Sequence, residues 1–312
     1  MRRKVIQIAN STQLVSLPRT WAKEHDIKKG DELELSIQKN KIIISTEKES
    51  EQETIDVNVT NLDRSSLMFL IRALYKKGYD EINLRFDNQL AKHYRINEDV
   101  KVISSIHQEV NRLTGIEIVQ QKENFCKLKT ISKTDDKELD NMIRRTFILL
   151  LDAAKDVIDA AKNGNSVLLE TIEEKHDTLT KFISYCIRTI NKRKTEDKNT
   201  HFLYHIIATM DKIVDILKNC SRELEGFNKK VKKESLEVLN KTYSSFEKFY
   251  ELFYKYNAET VKILSENKEQ VMNSLISLSG KVPVQELLLL SNMNQTLELF
   301  RDLTESRIAM EF

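Results

Sequence analysis

The chain has 312 residues and a formal net charge of +2, so it can form two or three domains and is not a uniformly basic nucleic-acid coat. Six Gly, two Pro and 31% charged residues are typical of a chain built mostly from long helices. Its three cysteines are far apart and lack a His cluster, which argues against a disulfide framework or zinc site and favours the cytoplasm. No apolar run approaches ~18 residues, so no membrane span is expected.

The first 46 residues are predicted to form four short strands and one short helix. Pro18 fixes φ for the first helical turn, and Gly30 allows a left-handed turn into the next strand. Fewer than ~50 residues without a disulfide or metal rarely bury a stable core, so we expect this segment to fold as a homodimer. The predicted elements are a strand containing Val5 and Ile8, strands at Gln13–Leu17, Glu32–Ile37 and Lys41–Thr46, and a helix at Arg19–His25.

The order strand, S-x-x-L-V-S-L-P-R, helix, D-I-K-K-G-D-E-L-E-L, strand resembles the AbrB/MazE/SpoVT swapped-hairpin domain. The resemblance implies that two chains interleave hairpins into one small β-barrel, which presents basic side chains to double-stranded DNA. Residues 1–46 contain nine Lys or Arg against five Asp or Glu, which suits that role. A barrel that serves only for dimerisation is the alternative. The candidate DNA-binding residues are Arg2, Arg3, Lys4, Arg19, Lys23, Lys28 and Lys29.

Residues 47–53 are polar and acidic, which indicates a linker. The next segment, 54–132, is predicted to be a small βαβαββ module. It lacks a Gly-rich phosphate loop or a paired set of catalytic side chains, so a spacer or oligomerising role is expected, with a small-ligand sensor as the alternative. Its predicted strands contain Ile55–Val59, Glu81–Phe86, Ile116–Gln120 and Phe125–Ile131, and its helices are Leu62–Lys77 and Asn97–Leu113.

The remainder, 134–312, is predicted to form six helices arranged as two three-helix bundles, 134–226 and 230–312. The apolar stripe of the third helix is repeated 83 residues later in the sixth, which indicates a duplication. The stripe residues are Ile206, Ile207, Met210, Val214 and Leu217, repeated as Leu289, Leu290, Met293, Leu297 and Phe300. Helix breaks are predicted at Asn163–Asn165, Lys194–Thr200, Gly226, Ser265–Asn267 and Gly280–Pro283.

Two carboxylates lie four residues apart beside the third-helix stripe, at Asp211 and Asp215. At this spacing they repel by a few tenths of a kcal/mol, so compensating positive charge is expected. A hard divalent cation is one solution, because oxygen ligands suit Mg, Mn or Fe. Lys212, Lys218 or solvent is the other.

Two successive three-helix bundles with an acidic-x-x-x-acidic pair on the third helix resemble the PhoU family of phosphate-uptake regulators. In that family the pair helps to hold surface metal clusters, together with acids on the second helix. The motif falls on Asp211–Asp215 in the first repeat and on Asn294–Glu298 in the second, where Asn294 removes one anionic ligand. The candidate ligands are Asp211, Asp215, Glu174, Asp177 and Glu298, with Glu173 and His176 nearby.

The expected fold is therefore multidomain α+β, with a dimeric swapped-hairpin barrel, a small α+β module and an all-α PhoU-like pair of bundles. No Ser/His/Asp or Cys/His arrangement can be assembled, so no enzymatic activity is expected. Together the resemblances imply a cytoplasmic, phosphate-responsive transcription regulator. The alternative is an adaptor of a phosphate transporter or sensor kinase that does not bind DNA.

Overall fold

The computed structural model describes residues 2–8, 12–38, 41–46, 52–132, 136–164, 166–193, 197–227 and 230–312. The chain divides into two compact units, Met1–Gln52 and Glu53–Phe312. The expected multidomain α+β architecture with a mostly helical C-terminal region is confirmed. Most of the predicted acidic linker, residues 47–51, and the predicted turn at 39–40 lie outside the described residues.

The N-terminal unit contains two separate antiparallel strand pairs and one short helix. The second strand is shorter than predicted, because its pairing with the first runs only from Ile6↔Leu14 to Ile8↔Thr12 and Pro18 has no N–H to extend a ladder. Pro18 instead precedes the helix as its N-cap, and Gly30 has the expected positive φ of 101°. The elements are β1 (Ile6–Ile8), β2 (Thr12–Leu14), α1 (Arg19–Glu24), β3 (Leu33–Gln38) and β4 (Lys41–Thr46).

The second unit begins with a four-stranded sheet in the order β5-β6-β10-β9. β5 and β6 are parallel, and the other neighbouring pairs are antiparallel. Asp63 caps the start of α2 by accepting from the amides of Ser65 and Ser66. The helix ends at Lys77, as predicted, where Gly78 has a φ of 114°. The elements are β5 (Thr54–Asn58), α2 (Arg64–Lys77), β6 (Glu81–Arg85), α3 (Val102–Val110), β9 (Ile116–Lys122) and β10 (Phe125–Thr130).

The predicted βαβαββ order of this module is wrong, because it missed a hairpin between β6 and α3. Its strands, β7 (Leu90–His93) and β8 (Glu98–Lys101), pair antiparallel in a separate two-stranded sheet. Asn97 adopts a left-handed conformation in the turn that joins them, whereas the prediction began a helix there. The hairpin is short and mostly exposed, with Ala91 its one buried residue, so it lacks the apolar alternation by which a strand is recognised.

Six long helices complete the second unit, as predicted. One predicted break is wrong, because α8 runs through Ser265–Asn267 and the chain instead breaks at Lys255–Asn257. The side chain of Asn257 caps α8 by accepting from the Glu259 amide, while the Ser265 hydroxyl donates to the Val261 carbonyl and is tolerated inside the helix. The helices are α4 (Asp136–Asn163), α5 (Ser166–Lys192), α6 (Thr200–Phe227), α7 (Lys233–Tyr254), α8 (Ala258–Leu278) and α9 (Val284–Glu311).

The repeated apolar stripes of α6 and α9 explain how the six helices share one core. All ten stripe residues are buried, and they belong to a single hydrophobic cluster to which all six helices contribute. α6 and α9 pack directly against each other. A second cluster lies between the sheet and helices α2 and α3. Within the described residues, no helix is long and apolar enough to cross a membrane.

Candidate functional sites

The seven predicted DNA-binding residues all expose their side chains on the N-terminal unit. Arg19 and Lys23 lie on α1, whereas Arg2, Arg3 and Lys4 precede β1 and Lys28 and Lys29 follow α1. The Lys28 ammonium is 3.1 Å from the Asp26 carboxylate, but both side chains are about 70% exposed. A pair this exposed is weak, so its lysine stays available to another anion.

The same unit exposes the apolar side chains of its strands. Ile37 is 80% exposed and Ile42 is 68% exposed, and α1 buries none of its residues. No described residue of this unit belongs to either hydrophobic cluster of the chain. Strands with this pattern normally bury one face, and in this unit that face is exposed.

The acidic pair on α6 lies where the α+β module packs on the helices. Asp211 Oδ2 is 3.7 Å from Nζ of Lys76 on α2, and Asp211 Oδ1 accepts from the Thr180 hydroxyl of α5. Burial lowers the pKa of Lys76, and the charge of Asp211 opposes that shift. Beside them, Arg72 of α2 makes a bidentate pair with the fully buried Glu109 of α3.

The second carboxylate of the pair, Asp215, has different partners. Its Oδ1 lies 3.1 Å from His176 Nε2 and 2.8 Å from Lys218 Nζ, so both donors converge on one oxygen. Hydrogen bonding from His176, aided by Lys218, holds the pKa of Asp215 well below its usual range against the opposing effect of burial. The other ring nitrogen of His176 is 3.2 Å from Asp177, and Asp177 also pairs with Arg112 at 2.8 Å.

Four of the five predicted metal ligands lie beside lysine or arginine side chains of the protein. The oxygens of Asp211, Asp215 and Asp177 already face protein cations, so the repulsion expected between the pair is offset by side chains. Glu298 of the second repeat faces Lys268 at 3.3 Å, while Glu174 is exposed and has no ion-pair partner in the part of the chain that is described. Among those residues, no group of three or more His, Cys, Asp or Glu side chains could hold a metal ion.

The most heavily bonded contact between the module and the helices was not predicted from sequence. Arg188 of α5 is buried, and its Nη1 donates to the carbonyls of Tyr75 at 2.9 Å and Tyr79 at 2.7 Å. Its Nη2 donates to Asp80 at 2.8 Å, and Lys192 donates to Asp80 at 2.5 Å and to the Gly78 carbonyl at 3.2 Å.

These two cations therefore cap the C-terminus of α2, where unpaired carbonyls and the helix dipole favour positive charge. Lys192 lies in the last turn of α5. The partner helix could not be identified from a pattern on α5 alone.

Comparison with known proteins returns both resemblances drawn from the sequence. Residues 6–52 match the family model described as antidote-toxin recognition MazE, bacterial antitoxin. The chain is also similar to the crystal structure of PhoU from Pseudomonas aeruginosa, with a TM-score of 0.48, 11% identity, and coverage of 55% of this chain and 94% of that one. A PhoU-like protein from Shewanella oneidensis MR-1 gives a TM-score of 0.34, 13% identity and coverage of 57% and 94%. No curated protein matches.

Proposed function

We propose that this protein is a homodimeric transcription regulator that binds double-stranded DNA through its N-terminal unit and responds to phosphate status through its helical region. The observation that carries the proposal is the combination of exposed apolar strands and seven exposed basic side chains on one unit. The MazE-type match over residues 6–52 supports it. The phosphate response rests on the PhoU resemblance noted in the sequence.

Dimerisation follows from the exposed strands of the N-terminal unit. Ile6, Leu35, Ile37 and Ile42 each expose more than half of their surface. Burying one such side chain contributes about 1.5–3 kcal/mol, so a second copy that covers these strands stabilises both the fold and the association. The Ile37→Lys variant of the full chain is expected to sediment as a monomer where the wild type sediments as a dimer.

A matched control for that variant is Ile276→Lys, which changes an isoleucine that is 67% exposed on α8. It is expected to leave the dimer intact. A wild-type chain that is monomeric at micromolar concentration would overturn the proposed dimer. Loss of the dimer in Ile276→Lys but not in Ile37→Lys would place the interface outside the N-terminal unit.

DNA binding is tested by its salt dependence. The logarithm of the association constant should fall with the logarithm of the salt concentration at about 0.9 per phosphate neutralised. Arg19→Ala removes one contact from each copy, so it should reduce the slope by about 1.8 for a dimer as well as weaken binding. Lys155 is an exposed lysine on α4, and the Lys155→Ala variant should change neither the slope nor the affinity for DNA.

The same titration separates the proposal from its alternative. Absence of binding to duplex DNA at low salt would favour an adaptor of a phosphate transporter or sensor kinase, in which the N-terminal unit only dimerises. Binding with an unchanged slope in Arg19→Ala and Lys23→Ala would mean that α1 does not face the phosphates.

For the phosphate response, we place the sensing region at the contact between α2 and helices α5 and α6. There the acidic pair of the PhoU-type motif meets Lys76 of the module. The Lys76→Met variant should change how DNA affinity depends on added phosphate, with or without Mg or Mn, while leaving the affinity in phosphate-free buffer intact. DNA affinity that is independent of phosphate in the wild type would remove this part of the proposal.

A further inference from the structure

The outer face of the four-stranded sheet is a polar surface that none of the described helices covers. Residues alternate along the strands, so the apolar side chains of β6 and β10 face α2 and α3 while every second side chain faces away. The strand register aligns the outward side chains in rows across the sheet. One row is Asn58–Arg85–Phe125–Lys122, and the next is Asp56–Asn83–Lys127–Gln120.

All members of these two rows except Asn58 line an open depression of about 460 Å³, together with Asn124. Arg85 and Lys127 are compensated in part by Asp56 at 3.3 Å and Glu81 at 2.7 Å. Lys122 has no ion-pair partner among the described residues and lies at the open edge of β9. The depression therefore has a surplus of positive charge, with basic side chains on both strands that flank Phe125.

At the floor of the depression lies a buried acceptor without a donor. Asn83 is 8% exposed, and its Oδ1 has no hydrogen-bond partner in the described part of the chain. A buried amide oxygen left unpaired costs about 1–3 kcal/mol, and such a group calls for a donor to complete it. The nearest open space from which a donor can arrive is the depression that Asn83 lines.

We propose that this face binds a nucleoside phosphate, either free or as one unit of a single strand. The two adjacent rows offer an aromatic ring, an unpaired acceptor and a cation, which match the base, its exocyclic amine and the phosphate of such a ligand. The base stacks on Phe125, its exocyclic amine donates to Asn83, and its phosphate meets Lys122 at the open edge of β9. Open sheet faces that carry aromatic and basic side chains suit this chemistry, because every base offers a π-face and an adjoining anion.

The test is calorimetric titration of the full-length protein with ATP. Lys122→Ala should weaken binding about ten-fold, the value of one charge-assisted hydrogen bond. The matched control is Lys129→Ala, which lies on the same face of β10 but outside the depression, and it should bind as the wild type does. Purine riboside triphosphate keeps the ring and lacks the amine, so it should bind about ten-fold more weakly than ATP.

Two further titrations distinguish a free nucleotide from a nucleotide within a single strand. If an eight-nucleotide oligo(dA) binds where ATP does not, and Lys122→Ala weakens that binding, the face is assigned to single-stranded nucleic acid. Because Arg19→Ala affects only the N-terminal unit, an effect of that variant on the oligonucleotide reports binding there instead.

Equal weakening by Lys122→Ala and Lys129→Ala would overturn the proposal, since it would mean non-specific attraction. Inorganic phosphate that competes as strongly as ATP would overturn the role of the base, and failure of both ATP and the oligonucleotide to bind would overturn the site. None of these residues belongs to the N-terminal unit, so duplex binding can succeed or fail independently.

Discussion

Replacement of Arg188 by methionine should separate the α+β module from the helices that support it. Methionine keeps much of the aliphatic volume but removes all three hydrogen bonds of the guanidinium. The arginine side chain is 2% exposed, and its guanidinium lies 5.0 Å from the centre of the Tyr75 ring.

The magnitude follows from which groups lose a partner. Asp80 keeps Lys192 at 2.5 Å, so its charge is not left alone and the full cost of a broken buried ion pair, about 3–5 kcal/mol, does not apply. The carbonyls of Tyr75 and Tyr79 lose one donor each, at about 1–1.5 kcal/mol apiece. Loss of the contact with the Tyr75 ring adds roughly 0.5–1 kcal/mol. We expect a decrease of about 3 kcal/mol in the free energy of unfolding.

Urea denaturation of the full chain, followed by circular dichroism and by the tyrosine signal, measures this change. The matched control is Arg222→Met, because the Arg222–Glu173 pair is 40–45% exposed and should contribute less than about 1 kcal/mol. Arg188→Lys should fall between the two, since an ammonium cannot reproduce the planar fork. A loss below about 1 kcal/mol in Arg188→Met, equal to that in the control, would refute the proposed capping of α2.

Two further predictions concern buried or half-buried ionisable groups. Asp215→Asn should lower the free energy of unfolding by about 1 kcal/mol at pH 7. Because the folded pKa of Asp215 lies below the unfolded value, this stabilisation is complete above about pH 4 and is lost as pH falls. In urea titrations, the difference in unfolding free energy between wild type and variant should therefore be smaller at pH 3 than at pH 7. Burial raises the pKa of the thiols of Cys126 and Cys186 to about 12 and that of Cys220 further still, so a thiol reagent should label none of the three in native protein and all three in urea; rapid native labelling would contradict the burial.

Local sequence chemistry determined most of the helical elements. Apolar spacing located α2, and its predicted last residue, Lys77, is the observed one because Gly78 allows the left-handed turn that ends the helix. The duplicated stripe correctly identified the buried faces of α6 and α9, since a helix that hides one face must repeat apolar residues every three to four positions. The β7–β8 hairpin was missed because it buries too few residues to show an apolar pattern, and because its turn depends on the left-handed conformation of Asn97.

Tertiary structure alone decided what the charged residues do. The sequence placed Asp211 and Asp215 on one helix flank but could not show that Lys76, from a segment more than 130 residues away in the chain, faces one of them while His176 faces the other. Likewise, nothing in the pattern of α5 identifies Arg188 as the cap of α2, and nothing in β6 distinguishes Asn83 from any other outward-facing residue. A pattern reports which face of an element is buried, whereas the partner across an interface depends on how distant elements pack.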